Sequence, residues 1–424
     1  MKHACTLLLA LATVSLIPAA TSEMQGELGG HGFSRAASPA LSNYLQGLLE
    51  ARRTPSGGEP LQSLRANFLQ PTAGDALQPE LVSQVAVLEP ASDDELLITA
   101  AFSPDGLRLA YGTERRVQRR TIAADDDRMY FYPGEVWVTD FADRPKRVLK
   151  YDFLRSQEGG FLSFSVERVA WSPDGSKLLI EVSDERKRTA TFFFSAEGKR
   201  VKLGGNGPNF APGYGAAWLA DNESVGLLSE EVGPRLLHRI HLLRATAGRA
   251  LPMFGSKVFA AVAWLPLSQR VAAIERDKEF SQPPKLVVGN LETGTLEDLG
   301  DVPDYAGGLR ALPDERRVSY FIGNDKLAVR SLSADAQADV LPIPLGRYEW
   351  AGPNAVVFIE PRPGTASAPP DASGRLVLYD RTAGKKTELL EDELVQDFWV
   401  SPDGHQVAIL TAGNNPLLKV FRLN

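Results

Sequence analysis

Short apolar runs separated by turn-forming residues extend from about residue 82 to the end of the 424-residue chain. Each run is a few residues long and rich in Val, Ile, Leu and Phe, which is typical of β-strands. The clearest runs flank one motif: AFSPDGLRLAYGT begins at Ala101, AWSPDGSKLLIEV at Ala170 and WVSPDGHQVAILT at Trp399. Each copy predicts a strand, a tight turn and a second strand.

The SPDG motif has the chemistry of a structural turn. Proline presets φ, aspartate accepts a hydrogen bond from the backbone ahead of it, and glycine adopts the positive φ that closes a hairpin. We therefore assign these residues to turns and not to a ligand site: Asp105, Gly106, Asp174, Gly175, Asp403 and Gly404.

Weaker copies of the same pattern lie between the three clear ones. The first apolar residue after each turn marks them, at steps of 38 to 69 residues: Leu109, Leu178, Val225, Val271, Val318, Val356 and Val407. Two further strands follow each marker, for example EVWVTD and RVLKYD after Leu109, or TFFFS and RVKLGG after Leu178. Four strands at a period of about 40–50 residues are the signature of a β-propeller blade.

These repeats predict an all-β, seven-bladed β-propeller of four-stranded antiparallel blades. Six or eight blades remain alternatives, because the 38-residue repeat is weak. The last repeat ends after its third strand, and the segment VSQVAVLE (82–89) precedes the first repeat without a partner of its own. Because sheet edges are a liability that closure removes, we predict that this N-terminal strand completes the last blade.

Tryptophan recurs at the end of the first strand in several repeats. A spacing tied to the repeat indicates packing between blades more simply than a sugar-binding platform, since each buried ring covers a large apolar area. The residues assigned to blade packing are Trp171, Trp218, Trp264, Trp350 and Trp399.

The N-terminal region differs from the rest. A basic start, an apolar run from Leu7 to Ile17 and the small residues PAATS predict a signal peptide over 1–22, too short to span a membrane. Residues 23–81 are predicted to be a linker with short helices, one starting at Ser38-Pro39 and one over Leu61–Leu69. The propeller then occupies 82–424, and the protein is expected in the periplasm or outside the cell.

The composition mainly argues against certain partners and against cysteine-based sites. A net charge of −7 gives no basic face for nucleic acid or an anionic membrane. The sole cysteine, Cys5, lies within the predicted signal, so the mature chain is expected to lack disulfides and cysteine metal sites.

The three SPDG segments resemble the repeat of TolB-like propellers, which also forms the N-terminal propellers of the dipeptidyl-peptidase and oligopeptidase families. The resemblance covers about 82–424 and implies the propeller fold. From the sequence we expect neither the α/β domain that precedes the TolB propeller nor the hydrolase domain of the peptidases.

Catalytic motifs are not found in the sequence. There is no G-x-S-x-G elbow and no H-E-x-x-H motif. His238 and His241 are three apart in a predicted strand, so they should lie on opposite faces and cannot share a metal. We predict no catalytic residue, no metal and no cofactor.

A binding role follows from the loops. The longest insertion, 112–134, holds arginine and aromatic residues of the kind that protein interfaces favour. The predicted partner-binding residues are Arg115, Arg116, Arg119, Arg120, Tyr130, Phe131 and Tyr132. The prediction is a monomeric, exported propeller that binds a protein or peptide on the face opposite the SPDG turns.

Two alternatives stay open from sequence. One is a metal-dependent lactonase or lyase that uses acidic clusters near the channel, at 93–95, 125–127 or 391–393. The other is a carbohydrate-binding propeller that uses loop aromatics.

Overall fold

The computed structural model describes the part of the chain that carries the repeats. The described residues are 66–67, 82–90, 95–115, 117–118, 130–131, 134–149, 164–184, 189–231, 236–333, 336–361, 373–390, 393–413 and 416–423. All of them belong to one compact unit, Ser34–Asn424. The predicted signal peptide and the helix expected at Ser38-Pro39 lie outside the described residues.

The described strands pair antiparallel, in three sheets of four strands, two larger sheets of eight and nine strands and one hairpin, and the all-β prediction is confirmed. Two strands, β1 (Ala66–Asn67) and β2 (Val82–Leu88), come first, and we divide the strands that follow by the seven sequence markers into repeats 1 to 7. Repeat 1 contains β3 (Glu95–Phe102), β4 (Leu109–Arg115), the short hairpin β5 (Val117–Gln118) and β6 (Tyr130–Phe131), β7 (Gly134–Thr139) and β8 (Lys146–Leu149). Repeat 2 contains β9 (Phe164–Trp171), β10 (Lys177–Asp184), β11 (Thr189–Ser195) and β12 (Phe210–Pro212).

The next three repeats have the same order of strands. Repeat 3 contains β13 (Tyr214–Trp218), β14 (Val225–Glu231), β15 (Leu237–Leu243) and β16 (Leu251–Pro252). Repeat 4 contains β17 (Val258–Leu265), β18 (Arg270–Arg276), β19 (Lys285–Asn290) and β20 (Leu296–Asp301). Repeat 5 contains β21 (Tyr305–Ala311), β22 (Arg317–Ile322), β23 (Lys326–Ser331) and β24 (Asp339–Leu341).

The N-terminal strand completes the last group, as predicted. Repeat 6 contains β25 (Tyr348–Trp350), β26 (Ala355–Pro361), β27 (Gly374–Asp380) and β28 (Lys385–Glu388), and repeat 7 contains β29 (Val395–Val400), β30 (Gln406–Thr411) and β31 (Leu418–Leu423). Strand β2 pairs antiparallel with β31, from Val82 opposite Leu423 to Leu88 opposite Leu418. The segment at 82–89 therefore supplies the fourth strand that repeat 7 lacks.

Two local predictions are wrong. The segment RVKLGG is not the fourth strand of repeat 2, because Leu203–Gly205 forms a 3-10 turn and Phe210–Pro212 pairs with β11 instead. Glycines in the left-handed region at Gly204 and Gly205 favour that turn over a strand. The helix expected over Leu61–Leu69 is contradicted at Ala66–Asn67, which pair with the edge of β2.

Among the residues that the structure describes, seven clusters of buried apolar side chains lie between the repeats. Each cluster combines side chains from two consecutive repeats, in the order 1–2, 2–3, 3–4, 4–5, 5–6 and 6–7. The seventh cluster combines Leu97, Phe102 and Tyr111 of repeat 1 with Leu410 and Val420 of repeat 7. Repeats 7 and 1 are therefore in contact through buried side chains.

This arrangement explains the sequence pattern of the inner strands. The second strand of repeat 4 is buried along Val271, Ala272, Ala273 and Ile274. Neighbouring repeats cover both faces of such a strand, so it reads as a continuous apolar run instead of an alternating one. The fourth strands are more polar and more exposed, as in LEDLGD of β20, where only Leu299 is buried.

The SPDG turns share one geometry in which serine has a part that sequence analysis overlooked. In repeat 2 the buried Ser172 accepts from Lys177 N at 2.9 Å and donates to Asp174 Oδ1 at 2.5 Å. The Gly175 amide donates to the Ser172 carbonyl at 2.8 Å, and Gly175 has φ of 68°. The turns at Ser103 and Ser401 repeat these bonds.

The turns are also bonded to one another. Arg108 Nη2 donates to the Gly175 carbonyl at 2.7 Å, and Lys177 Nζ donates to the Asn222 carbonyl at 2.8 Å. Both donors occupy the same position after the turn, and each acceptor lies in the turn of the next repeat. The first-to-second-strand turns therefore lie side by side.

Candidate binding cavity between repeats 4 and 7

A cavity of about 590 Å³ opens where the first strands of repeats 4 to 7 end. Its wall is formed by the ends of those strands and by the turns that follow three of them. The lining residues used below are Trp264, Leu267, Leu309, Arg310, Glu315, Glu349 and Val400. The cavity therefore lies at the turn end of the repeats, not at the end where sequence analysis placed the partner.

The apolar part of the wall combines a fixed ring with an exposed rim. Trp264 Nε1 donates to the Gly215 carbonyl in the preceding repeat at 2.7 Å, and its ring lies against Gly226, where a Cβ would overlap it. Leu267 is 69% exposed in the turn of repeat 4. An apolar side chain of this exposure at a cavity mouth is available to a bound partner.

One carboxylate in the wall is fully engaged by the protein itself. Glu315 is 8% exposed and accepts from Leu267 N at 2.8 Å, from Ser268 N at 2.9 Å and from Ser268 Oγ at 2.9 Å. It therefore joins the turns of repeats 4 and 5 and shapes the rim.

Four charged residues meet where the first strands of repeats 5 to 7 converge. Arg347 donates through Nε to Asp397 Oδ1 at 2.8 Å, and through Nη2 to Glu349 Oε1 at 2.7 Å and to the Phe398 carbonyl at 2.8 Å. Burial opposes the charge on Arg347, yet Asp397 and Glu349 outweigh burial and raise the pKa of this guanidinium. Arg347 is thus the structural centre of the group.

Arg310 is bonded far less completely. Its Nη1 lies 3.9 Å from Glu349 Oε1, beyond hydrogen-bond distance, and its guanidinium carbon lies 5.2 Å from the centre of the Tyr348 ring. Burial and the like charge of Arg347 lower the pKa of Arg310. Its side chain is 37% exposed and lines the cavity.

A second cavity of about 720 Å³ lies between repeats 2 and 3 and includes Ser229 and His241. His241 Nε2 and Ser229 Oγ are 2.7 Å apart, and burial followed by the nearby Arg239 lowers the pKa of His241. His238 instead contacts the Tyr214 hydroxyl through Nδ1 at 2.6 Å. The two histidines lie at odd spacing in β15 and have different partners, which agrees with their expected placement on opposite faces.

A buried carboxyl group lies at the other end of the repeats. Glu114 is 4% exposed at the end of β4 and accepts a hydrogen bond from the Ser165 hydroxyl. Burial, with the repulsion of Glu167, raises the pKa of Glu114 to about 8.

The predicted partner-binding residues are only partly described. Arg115 lies in β4 opposite Glu95, and Tyr130 and Phe131 pair with Gln118 and Val117. Arg116, Arg119, Arg120 and Tyr132 lie outside the described residues, so this surface stays a prediction.

The tryptophans lie at contacts between repeats. Trp171 Nε1 donates to the Ala101 carbonyl at 2.9 Å, and Trp350 Nε1 donates to Ser319 Oγ at 2.8 Å. Trp218 packs against Phe193, with ring centres 5.7 Å apart, and Trp399 packs against the cluster between repeats 7 and 1.

The acidic clusters considered for a metal are dispersed where they are described. Glu95 is buried in β3, and Glu393 forms an ion pair with Lys419. Within the described ranges no three His, Cys, Asp or Glu side chains form a group suited to a metal ion. Nor does any helix in that part of the chain have the length and apolarity of a membrane crossing.

Comparison with known proteins adds no family. No protein-family model matches the chain, and no curated protein matches it.

The charged residues of the cavity were not among the predicted site residues. A signal was present, because Arg310 and Glu349 each directly precede the position that ends the first strand, in GLRA and YEW. A charge inside an otherwise apolar first strand marks a position that faces away from the core. Recognising that these positions meet requires the tertiary structure.

Proposed function

We propose that the chain is an exported, closed, seven-bladed β-propeller that binds a segment of a protein partner in the cavity between repeats 4 and 7. The closed ring is supported by the seven apolar clusters, whose order returns from repeat 7 to repeat 1. It is also supported by the pairing of β2 with β31, which protects the edge of the last sheet.

The observation that carries the binding proposal is the cavity itself. It combines an exposed leucine at the rim, a fixed tryptophan ring and an arginine whose side chain has no hydrogen bond to any described residue. Mixed apolar and polar walls of this size suit a peptide segment whose side chains fill the apolar part while a polar group is held.

Export rests on the N-terminal pattern and is tested separately. N-terminal sequencing of the protein recovered from the periplasm or medium should begin near Ala20–Ser22. Recovery of the full-length chain only in the cytoplasm would contradict export.

The binding proposal is tested by site-specific photo-crosslinking in cells that make the full chain. A benzophenone amino acid replaces Leu267, which is 69% exposed at the cavity rim. The matched control carries it at Leu107, which is 66% exposed in the equivalent turn of repeat 1, away from the cavity lining.

We expect a discrete adduct at Leu267 and not at Leu107, and mass spectrometry of the adduct should identify a protein segment. Equal labelling at both positions, or no protein adduct at Leu267, would contradict binding at the cavity.

A further inference from the structure

We infer that the segment bound in the cavity presents a carboxylate to Arg310. This inference rests on the proposed function and names the chemical class of the partner group. It is carried by the hydrogen bonds around the four charged residues.

The carboxylates near Arg310 accept hydrogen bonds from other groups. Glu349 accepts from Arg347 Nη2 through Oε1 and from the Val400 amide through Oε2, each at 2.7 Å. Asp397 Oδ1 accepts from Arg347 Nε and from the Phe398 amide, each at 2.8 Å. Among the described residues, none brings a carboxylate within hydrogen-bond distance of Arg310.

Arg310 therefore keeps its donors available. A guanidinium carries five N–H donors in a planar fork and cannot lose its charge in a protein. The guanidinium carbon lies 5.2 Å from the centre of the Tyr348 ring, and the Tyr348 hydroxyl donates to the Gly308 carbonyl, so this cation–π contact uses none of the N–H groups of Arg310. The N–H groups of the guanidinium can therefore bond a group in the cavity.

The surroundings also make the isolated charge costly. Burial and Arg347 both disfavour it, and Glu349 at 3.9 Å compensates only partly. A carboxylate that enters the cavity supplies the missing acceptor oxygens and can bond both ends of the fork.

A carboxylate fits this site better than a phosphate. One arginine is available, while Glu349 and Glu315 also line the wall. A dianionic group would be repelled by these two carboxylates more strongly than a singly charged one. The carboxylate can belong to an Asp or Glu side chain or to a C terminus, and the experiment separates these sources.

The test measures binding of an array of short random-sequence peptides to the full mature chain. Each peptide is present with Asp and Glu, with Asn and Gln in their place, and with a free or an amidated C terminus. Binding is measured for the wild-type protein, for Arg310→Gln and for Arg310→Lys. The control Arg168→Gln changes an arginine of similar exposure, 40%, on the first strand of repeat 2.

For the wild type we expect acidic peptides to bind about tenfold more tightly than their amide counterparts, as a charge-assisted hydrogen bond implies. This preference should be lost in Arg310→Gln, partly kept in Arg310→Lys and unchanged in Arg168→Gln. A loss caused only by amidating the C terminus would assign the carboxylate to the chain end.

Two results would overturn the inference, and they are distinguishable. If peptides bind in competition with the Leu267 crosslink but acid and amide forms bind alike, the carboxylate is wrong and the proposed function stands. If no peptide binds, the carboxylate is wrong, and the Leu267 crosslink decides the proposed function separately. The acid–amide comparison in the wild type decides the matter even if Arg310→Gln does not fold.

Discussion

The side-chain amide of Gln406 donates a hydrogen bond of 3.0 Å to the carbonyl oxygen of Gly106, joining residues 300 positions apart. Gln406 follows the last SPDG turn, and Gly106 belongs to the first. The bond has the same form as that from Arg108 to Gly175 between repeats 1 and 2. The last and first repeats are therefore joined by the same type of bond as repeats 1 and 2, from a side chain that follows one turn to the glycine carbonyl of the next turn.

Removal of a core side chain from the N-terminal strand should test how strongly this contact stabilises the fold. Leu88 is fully buried in the cluster between repeats 7 and 1. Because Leu88→Ala leaves a cavity there, we expect it to lower the free energy of unfolding by about 2–5 kcal/mol. Denaturant titration measures the change, and Ser83→Ala on the exposed side of the same strand is the control. Equal stability of the two variants would contradict the structural role of β2.

The serine of the SPDG turn should matter as much as its glycine. Ser172→Ala removes the acceptor for Lys177 N and the donor to Asp174. Since a partly buried amide is left without its partner, we expect a loss of about 1–3 kcal/mol in the free energy of unfolding. Ser256→Ala, at an exposed serine, is the matched control and should change stability by less than about 0.5 kcal/mol. If Ser172→Ala lowers the free energy of unfolding no more than the control does, the serine does not stabilise the turn.

The Trp264 ring depends on the absence of a side chain at Gly226. Gly226→Ala should displace the ring and lower the free energy of unfolding by about 1–3 kcal/mol, because the added methyl group overlaps it. Since Trp264 lines the cavity, its fluorescence should change and peptide binding should weaken. Gly248→Ala adds a Cβ that meets no atom within 4 Å and serves as the control. Identical fluorescence spectra for both variants would show that the ring is not held at this position.

Glu114 should make stability depend on pH. Its pKa is about 8 in the folded chain and near 4.5 when exposed, so the folded state retains a proton that the unfolded state has lost. Above about pH 4.5 the wild type should therefore lose about 1.4 kcal/mol per pH unit relative to Glu114→Gln, until the pH passes the folded pKa. Denaturant titrations of both proteins between about pH 5 and about pH 9 measure this difference. Parallel pH profiles would show that Glu114 is ionised in the folded chain.

The strands, their turns and their grouping in fours were determined by the sequence alone. Short apolar runs bounded by SPDG or its weaker copies specify a local hairpin, since proline, aspartate and glycine act within a few residues of one another. Even the pairing of 82–89 with the last strand followed from counting strands. The fourth strand of repeat 2 was not predicted from the sequence. Consecutive glycines form a turn in RVKLGG, and a later segment pairs in its place.

The cavity was decided only by the tertiary structure. Arg310, Arg347, Glu349 and Asp397 lie in three different repeats, and the sequence does not state which of them bond and which remains available. That outcome depends on distances of a few ångströms between strands that are far apart in the chain. Hydrogen bonds and charge interactions change steeply over such distances, whereas the turn chemistry does not depend on them.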